Sequence, residues 1–410
     1  MRLNMNKYPI SFFCEGMLDI NWGTPQKRVA EWRDLGITLA MLNNSTPDQK
    51  DLVLEFLDEC EKNGIKLIIR DIRTHWDVYK ELGADGYKET FKTVLSDFGN
   101  HPAIYGFYIG DEPRTDDYLV ALECNRIQLE LAPQFNPYIN FLPWVDGTRN
   151  NMNFDSIEEY LDYAITYGES KLISYDCYRP FQEKTDSYWD DYFSNLNAYA
   201  KATIKHRAPF MNIVLSAGHS CDEAHYRCPN KDEMRWLLGT SVATGAASVS
   251  WYVIEPVGVF EYNYRNLPIN RFGERTEEFN WLSEVNREFL ARMGDVMHSL
   301  NIEEFYHVKK SYGGADIFKP FGKLKKTSGK QSLIVSRFSD SEGGEYYMVC
   351  LNSMTECDSI TLTFEKGTEI EVCVWGNEFK QVNKLVDEAG YTYVNFRLEP
   401  GGLKLFKVSK

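Results

Sequence analysis

Residues 104–113, IYGFYIGDEP, carry the strongest fold signal in the chain. The first six residues are apolar, aromatic or glycine, and this pattern predicts a buried β-strand over Ile104–Ile109. Pro113 cannot continue a strand and stiffens the turn that follows, which fixes the direction of Glu112. Asp111 and Glu112 are therefore predicted to lie at the carboxyl end of a buried strand.

Seven other strand-like runs flank this one, and amphipathic helical segments separate them. The seven runs are Ile10–Cys14, Ile37–Leu42, Lys66–Arg70, Pro137–Phe141, Leu172–Tyr175, Phe210–Leu215 and Ser248–Val253. Eight βα units in a row close naturally into a (β/α)8 TIM barrel, an α/β fold. The alternative is a doubly wound open sheet, which usually has fewer strands. That fold often has a G-x-G-x-x-G loop after strand one, where this chain reads CEGMLDINWG, residues 14–23.

The predicted helices have recognisable ends. Thr24-Pro25 places a capping hydroxyl before a proline at the first helical position. Asn63-Gly64 follows an amphipathic segment and is a usual helix stop. These signals support the alternation of strands and helices in the first 300 residues.

The pattern changes after about residue 300, where helical periodicity stops and short strands alternate with turns. The sequence predicts an antiparallel β-sandwich of about 100 residues. We place the barrel at residues 1–302 and the sandwich at residues 303–410. The basic segment Phe321–Lys330 is predicted to be an exposed loop. We expect the sandwich to be structural and to pack on the barrel helices; the alternative is a separate carbohydrate-binding module.

The composition narrows the partners and the compartment. The 410 residues carry a net charge of −15, which disfavours nucleic acid and anionic membranes as partners. The chain begins with MRLNMNKYPISFF, which lacks a signal-like apolar run, and no segment has 18 consecutive apolar residues. We therefore expect a cytoplasmic protein whose nine cysteines are reduced; a signal peptide removed beforehand is the alternative. The oligomeric state is left open.

The predicted strand ends are rich in carboxylates, amides and aromatic residues. Because barrel active sites lie at the carboxyl ends of the strands, these side chains predict a sugar-binding surface. Cleavage of a glycosidic bond needs one carboxylic acid to protonate the leaving oxygen. It needs a second carboxylate as a nucleophile or as a base for water. Such chemistry requires no cofactor, and none is expected.

The segment Gly110-Asp111-Glu112-Pro113 resembles the end of strand four in clan A glycoside hydrolase barrels. In that clan the glutamate of an Asn-Glu or Asn-Glu-Pro segment is the acid/base. The Gly-Asp-Glu-Pro form resembles a bacterial group related to β-galactosidase barrels. That group tends to have Tyr-Asp-x-Tyr on strand six, matched here by residues 175–178, YDCY, and many members carry a terminal β domain. The resemblance implies an oligo- or polysaccharide substrate and Glu112 as the general acid.

The chain departs from clan A at the end of strand seven, where the clan has its nucleophilic glutamate. Strand seven runs into Ser216 and contains no carboxylate. Three explanations compete. Asp176 at the end of strand six is the second carboxylate, which we favour; or Glu255 after strand eight is; or the protein binds sugars without hydrolysing them.

Other strand-end residues are candidates for substrate binding. Trp251 matches a tryptophan near the end of strand eight in clan A and is predicted to stack on a sugar ring, with a core position as the alternative. The remaining candidates for hydrogen bonds to sugar hydroxyls are Arg70, Asp71, Asp111, Asn140, Tyr178 and His219. An internal ion pair between Arg70 and Asp71 is the alternative for those two.

A loop after strand seven contains His219, Cys221, His225 and Cys228. Two histidines and two cysteines can bind zinc, but this spacing matches no usual zinc motif. We favour a substrate loop without a metal; a Cys221–Cys228 disulfide is the alternative for an exported protein. A metal-dependent barrel enzyme is the least favoured function, because the chain has only seven histidines.

Overall fold

A computed structural model gives the structure of the protein. It describes residues 3, 5–19, 23–182, 188–221, 224–255 and 262–410. None of the helices in these ranges combines the length and the apolar character needed to cross a bilayer. The nine cysteines all lie in these ranges, and no disulfide joins any two of them.

Eight parallel strands close into a barrel in the order β1-β10-β7-β6-β5-β4-β3-β2. The barrel strands are β1 Ile10–Phe12, β2 Leu39–Met41, β3 Lys66–Ile69, β4 Ile104–Asp111, β5 Tyr138–Phe141, β6 Ile173–Asp176, β7 Phe210–Leu215 and β10 Ser248–Tyr252. All eight predicted strands are present, so the TIM-barrel prediction is confirmed. A short hairpin that the sequence did not predict, β8 His219–Cys221 and β9 Ala224–Tyr226, follows β7.

Helices follow each barrel strand and cover the outside of the barrel. They are α1 Pro25–Asp34, α2 Lys50–Lys62, α3 Trp76–Phe98, α4 Thr115–Leu131, α5 Ile157–Thr166, α6 Tyr188–His206, α7 Lys231–Ala243 and α8 Glu277–Phe289, with α9 Asp295–Ser299 after a π turn at Leu290–Gly294. The predicted cap at Thr24 is present, since its side chain accepts a hydrogen bond from the backbone N–H of Lys27. Helix α2 ends at Asn63, and Gly64 follows with a φ of 67°, as a helix stop requires.

The C-terminal region is an antiparallel β-sandwich, as predicted. One sheet has the order β11-β13-β14-β20-β16-β17 and the other the order β12-β15-β19-β18. The strands are β11 Asn301–Val308, β12 Leu324–Ser328, β13 Leu333–Ser339, β14 Glu345–Leu351, β15 Asp358–Lys366, β16 Glu369–Val374, β17 Glu378–Gln381, β18 Leu385–Val386, β19 Tyr391–Leu398 and β20 Leu403–Ser409. The predicted boundary at residue 302 falls inside β11 and stays a prediction.

The prediction of an exposed loop at Phe321–Lys330 was wrong, because β12 lies within this segment. Leu324 is buried, and the strand pairs with β15 at the edge of its sheet. The lysines around it reflect this edge position, where charged side chains hinder pairing with other chains. The prediction failed because it gave more weight to the lysines of this segment than to the weak alternation of apolar and polar residues that marks the strand.

The six-stranded sheet is buried on both faces. Tyr346, Met348 and Cys350 belong to the core that the sheet shares with the barrel, whereas Tyr347 and Val349 face the other sheet. The seam is close: a Cβ on Gly239 of α7 would lie 2.2 Å from the carbonyl oxygen of Gly401. The sandwich thus packs on the barrel helices, as expected for a structural module.

Candidate active site

A cavity of about 300 Å³ opens at the carboxyl ends of the barrel strands. It contains six of the predicted site residues: Asp111, Glu112, Asn140, Asp176, Tyr178 and His219. Its lining also includes Phe13, Glu15, Arg179, Tyr226 and Tyr252, which had no predicted role. Four predicted residues do not line it: Arg70, Asp71, Trp251 and Glu255.

Glu112 is held in an unusual backbone conformation at the end of β4. Its φ is 50°, a left-handed value that costs a residue with a side chain about 1–3 kcal/mol. The conformation is held by a 2.8 Å hydrogen bond from its N–H to the carbonyl of Asn140 and by Pro113 after it. Gly110 allows the strand to approach Trp76, whose ring would lie 1.9 Å from a Cβ at this position. Gly110, Glu112 and Pro113 of the Gly-Asp-Glu-Pro segment thus each have a local structural role.

Asn140 on β5 joins the carboxylates of the two neighbouring strands. Its Nδ2 donates to Oδ1 of Asp111 on β4 at 2.9 Å and to Oδ1 of Asp176 on β6 at 2.8 Å. Its Oδ1 accepts from the hydroxyl of Ser174 at 3.2 Å. The amide therefore fixes two acidic side chains next to each other at the floor of the pocket.

Burial raises the pKa values of all three carboxyl groups, and neighbouring carboxylates add to this for Asp176 and Glu112. Burial raises the pKa of Asp111, whereas the hydrogen bond from Asn140 and the charge of Arg70 lower it. Burial and the charge of Asp111 raise the pKa of Asp176 to about 7. Burial, then Asp176, then Asp111 raise the pKa of Glu112 well above its usual value. The environment of Glu112 thus favours its protonated form.

Arg70 lies behind this cluster and does not reach the pocket. The guanidinium is buried against the rings of Tyr108 and Phe13, with its carbon 4.2 Å and 5.4 Å from their centroids, and Nε donates to Asn44. The positive charge lowers the pKa of Asp111. Arg70 therefore acts on the carboxylates through its charge and makes no contact at the pocket surface.

Asp71 lies outside the pocket, in contrast to the prediction that it binds sugar. Its carboxylate pairs with Arg73 at 2.8 Å and accepts the backbone N–H of that residue at 2.9 Å. It caps the short 3-10 turn at Ile72–Thr74. Asp71 does form an internal ion pair, as the alternative prediction stated, but its partner is Arg73 and not Arg70.

Aromatic side chains form another part of the pocket wall. Tyr178 stacks on Tyr252 with the ring centroids 5.2 Å apart, and His219 stacks on Tyr226 at 4.7 Å. The hydroxyl of Tyr252 donates to Oε1 of Glu15 at 3.0 Å. Burial lowers the pKa of His219 to about 4, so this ring is neutral at pH 7. The pocket thus has an acidic floor and an uncharged aromatic wall.

Trp251 is fully buried on the outside of the barrel, so it is not a sugar platform. Its Nε1 donates to Oδ1 of Asn286 on α8 at 3.0 Å. Successive side chains of a strand point to opposite faces, and here the next residue, Tyr252, is the one that faces the pocket. The strand was predicted correctly, but the inward-facing residue was displaced by one position.

Glu255 is also buried outside the pocket, which separates it from Glu112. Its carboxylate forms an ion pair with Arg28 of α1, and Nη2 of Arg28 also donates to Oδ1 of Asn43 at 2.8 Å. Asn43 in turn donates from Nδ2 to the backbone carbonyl of Glu15. Glu255 therefore supports the segment that carries Glu15 and is not a second carboxylate of the pocket.

The end of β7 and the loop after it contribute no acid and no metal cluster among the described residues. The hydroxyl of Ser216 is buried and donates to the carbonyl of Val253. His225 is exposed and contacts Ser220, and Sγ of Cys228 lies near the carbonyl of Ser216. In the described part of the chain, the one cluster with metal-ligand spacing is Asp58 and Glu61 on α2 with His101 in the loop before β4, far from the β7 loop in the sequence.

The raised pKa of Asp176 predicts that Asp176→Asn stabilises the fold at neutral and alkaline pH. A carboxyl whose pKa is higher in the folded than in the unfolded state binds more protons when folded. It therefore reduces stability as the pH rises from about 4 to about 7. We expect a higher melting temperature for Asp176→Asn than for the parent protein at pH 8, and a difference that shrinks toward zero near pH 4. A variant that is less stable than the parent at pH 8 would contradict the predicted shift. Asp85→Asn, at an exposed position on α3 outside the pocket, is the control.

Comparisons with known proteins identify the fold. Neither the protein-family models nor the curated proteins gave a match. A catalytic mutant of a GH42 β-galactosidase from G. stearothermophilus aligns with a TM-score of 0.62 and 7% identity over 99% of both chains. A β-galactosidase from Bacillus circulans sp. alkalophilus aligns with a TM-score of 0.61 and 10% identity over 100% of both chains. A β-galactosidase from Marinomonas ef1 aligns with a TM-score of 0.50 and 9% identity over 68% of this chain, which spans only 59% of that protein. The chain therefore shares the barrel fold of these β-galactosidases.

Proposed function

We propose that the protein is a glycoside hydrolase in which Glu112 is the general acid and Asp176 the second carboxylate. The observation that carries this proposal is the cluster of Asp111, Glu112 and Asp176 at the mouth of the barrel. In this cluster burial and neighbouring charges hold the pKa of Glu112 well above its usual value. A carboxyl that stays protonated at neutral pH can protonate a departing glycosidic oxygen.

Asp176 is the better candidate for the second role than Glu255. Asp176 lines the same cavity as Glu112 and raises the pKa of Glu112. Glu255 is paired with Arg28 and does not line this cavity. As Glu112 gives its proton to the leaving oxygen, the Asp176 carboxylate attacks the anomeric carbon or removes a proton from an attacking water. Asn140, which donates to both aspartates, positions this carboxylate.

The aromatic wall and the shape of the site support a saccharide substrate. Tyr178 and Tyr252 line the cavity, and aromatic rings pack well against the apolar faces of sugars. The similar structures include two β-galactosidases that align along almost their whole length. A β-linked galactoside in an oligo- or polysaccharide is therefore the first substrate class to test.

The test is hydrolysis of a panel of 4-nitrophenyl glycosides that vary the sugar and the anomeric configuration. We expect release of nitrophenolate from at least one β-glycoside, most readily a β-galactoside. The rate should increase as the pH rises through about 7, where Asp176 ionises, and fall again when Glu112 loses its proton. Absence of turnover across the panel and across oligosaccharide substrates would overturn the proposal.

A second candidate function is sugar binding without hydrolysis. It is favoured by the end of β7, where the hydroxyl of Ser216 is buried against the carbonyl of Val253 in the place that clan A gives to its nucleophile. This alternative predicts sugar affinity by calorimetry with no product formed after long incubation. The panel and the calorimetry together separate the two functions.

A further inference from the structure

We propose that the seam between the barrel and the sandwich holds a second binding site, for a small anion that carries a carboxylate or phosphate on a ring. A cavity of about 270 Å³ lies between helices α7 and α8 of the barrel and strands β19 and β20 of the sandwich. It is separate from the pocket that contains Glu112 and shares no lining residue with it. The inference is independent of the proposed hydrolase function.

The charged residues that line this cavity are mainly basic, whereas the chain as a whole is acidic. Four cationic residues line it, Arg235, Arg292, Arg397 and Lys404, against two acidic ones. The chain as a whole carries a net charge of −15, so a local excess of positive charge is not a consequence of composition. Clustered cations in a concave site attract anions and disfavour cations.

Two of the four cations are already neutralised, and two are not. Arg292 pairs with Glu288 at 2.8 Å, and Arg235 pairs with Asp232 and Glu399. Neither Lys404 nor Arg397 forms an ion pair with any residue in the described ranges. Burial and, second, repulsion by the like charge of Arg292 lower the pKa of Lys404, whose Nζ also lies over the ring of Phe396, 5.3 Å from its centroid. A bound anion would relieve this repulsion.

Arg292 is held in place before any ligand binds. The guanidinium of Arg292 lies over the ring of Trp375, with its carbon 5.0 Å from the centroid, in addition to its pair with Glu288. Beside the charges, the cavity wall contains apolar side chains of α8 and the π turn, including Phe289 and Met293. A fixed guanidinium next to an apolar wall suits a ligand that combines an anionic group with a ring.

Isothermal titration calorimetry on the full chain tests this site with glucuronate and glucose 6-phosphate. Glucose is the neutral control and inorganic phosphate the control for a bare anion. We expect both ring-bearing anions to bind and glucose not to bind at this site. Lys404→Gln and Arg397→Gln should each weaken binding at least about tenfold, because each removes a charge-assisted interaction. Lys380→Gln, which removes an exposed lysine outside the cavity, is the matched control.

The outcomes separate this site from the active-site pocket. Binding that disappears in Lys404→Gln and is unchanged in Lys380→Gln supports the seam site, because Lys404 lines this cavity and not the active-site pocket. A preference for glucuronate identifies a carboxylate ligand, and a preference for glucose 6-phosphate identifies a phosphate ester. Failure of both anions to bind overturns the proposal. Equal binding by the parent and both cavity variants also overturns it. So does binding by inorganic phosphate that equals that of both ring-bearing anions.

Discussion

Replacing Glu112 with glutamine is expected to lower kcat/KM for a glycoside by about 10²–10⁴-fold, the usual contribution of a general acid. Glutamine keeps the size of the side chain and its hydrogen-bonding capacity but cannot donate the proton. The loss should be greatest for substrates with poor leaving groups, such as alkyl glycosides and disaccharides. It should be smallest for 4-nitrophenyl glycosides, whose leaving group needs little protonation.

The dependence on the leaving group distinguishes loss of the acid from a structural defect. A folding defect would reduce the rates of all substrates by the same factor. Glu169→Gln is the matched control, because Glu169 also has a left-handed φ, of 55°, but is exposed on the barrel exterior. Unchanged hydrolysis of disaccharides by Glu112→Gln would remove Glu112 from its proposed role.

The fold was predictable from the sequence because buried parallel strands leave a strong local signal. Residues 104–113 show this best: an apolar run, then two carboxylates, then a proline. Seven other apolar strand runs alternate with helical segments along the chain, and closure into a barrel follows from that repetition. The positions of Asp111, Glu112 and Asp176 in one cavity follow in turn, since parallel strands bring their carboxyl ends together.

The residues that escaped prediction depend on features that strand ends do not reveal. Tyr226 enters the pocket on the hairpin β8–β9, whose strands have only three residues each. Trp251 and Tyr252 are adjacent and point to opposite faces of the strand. An error of one position in the predicted alternation therefore exchanges the buried residue and the pocket residue. Glu255, like Asp176, follows a predicted strand. Its ion pair with Arg28 of α1, however, holds it in the core. Such long-range pairing cannot be read from a single sequence.

Glu255→Gln is expected to destabilise the fold by about 3–5 kcal/mol, the usual cost of breaking a buried ion pair. Arg28 and Glu255 are both buried, and Arg28 also lies over the rings of Trp32 and Phe56. Neutralising Glu255 leaves the Arg28 charge without a counter-charge in this apolar environment, because its other partner in the described ranges, Asn43, is neutral. Chemical denaturation and the melting temperature both measure the effect.

The same substitution separates a structural from a catalytic role for Glu255. If Glu255 only supports the fold, the Glu255→Gln protein should hydrolyse substrate at close to the parent rate well below its melting temperature. The double variant Arg28→Met, Glu255→Met should recover much of the lost stability, because an apolar pair of similar volume needs no charge compensation. Glu89→Gln, in the exposed pair with Lys92, is the control and should change stability by less than about 1 kcal/mol. A stable Glu255→Gln protein without activity would instead place Glu255 in the reaction and displace Asp176 from the role proposed for it.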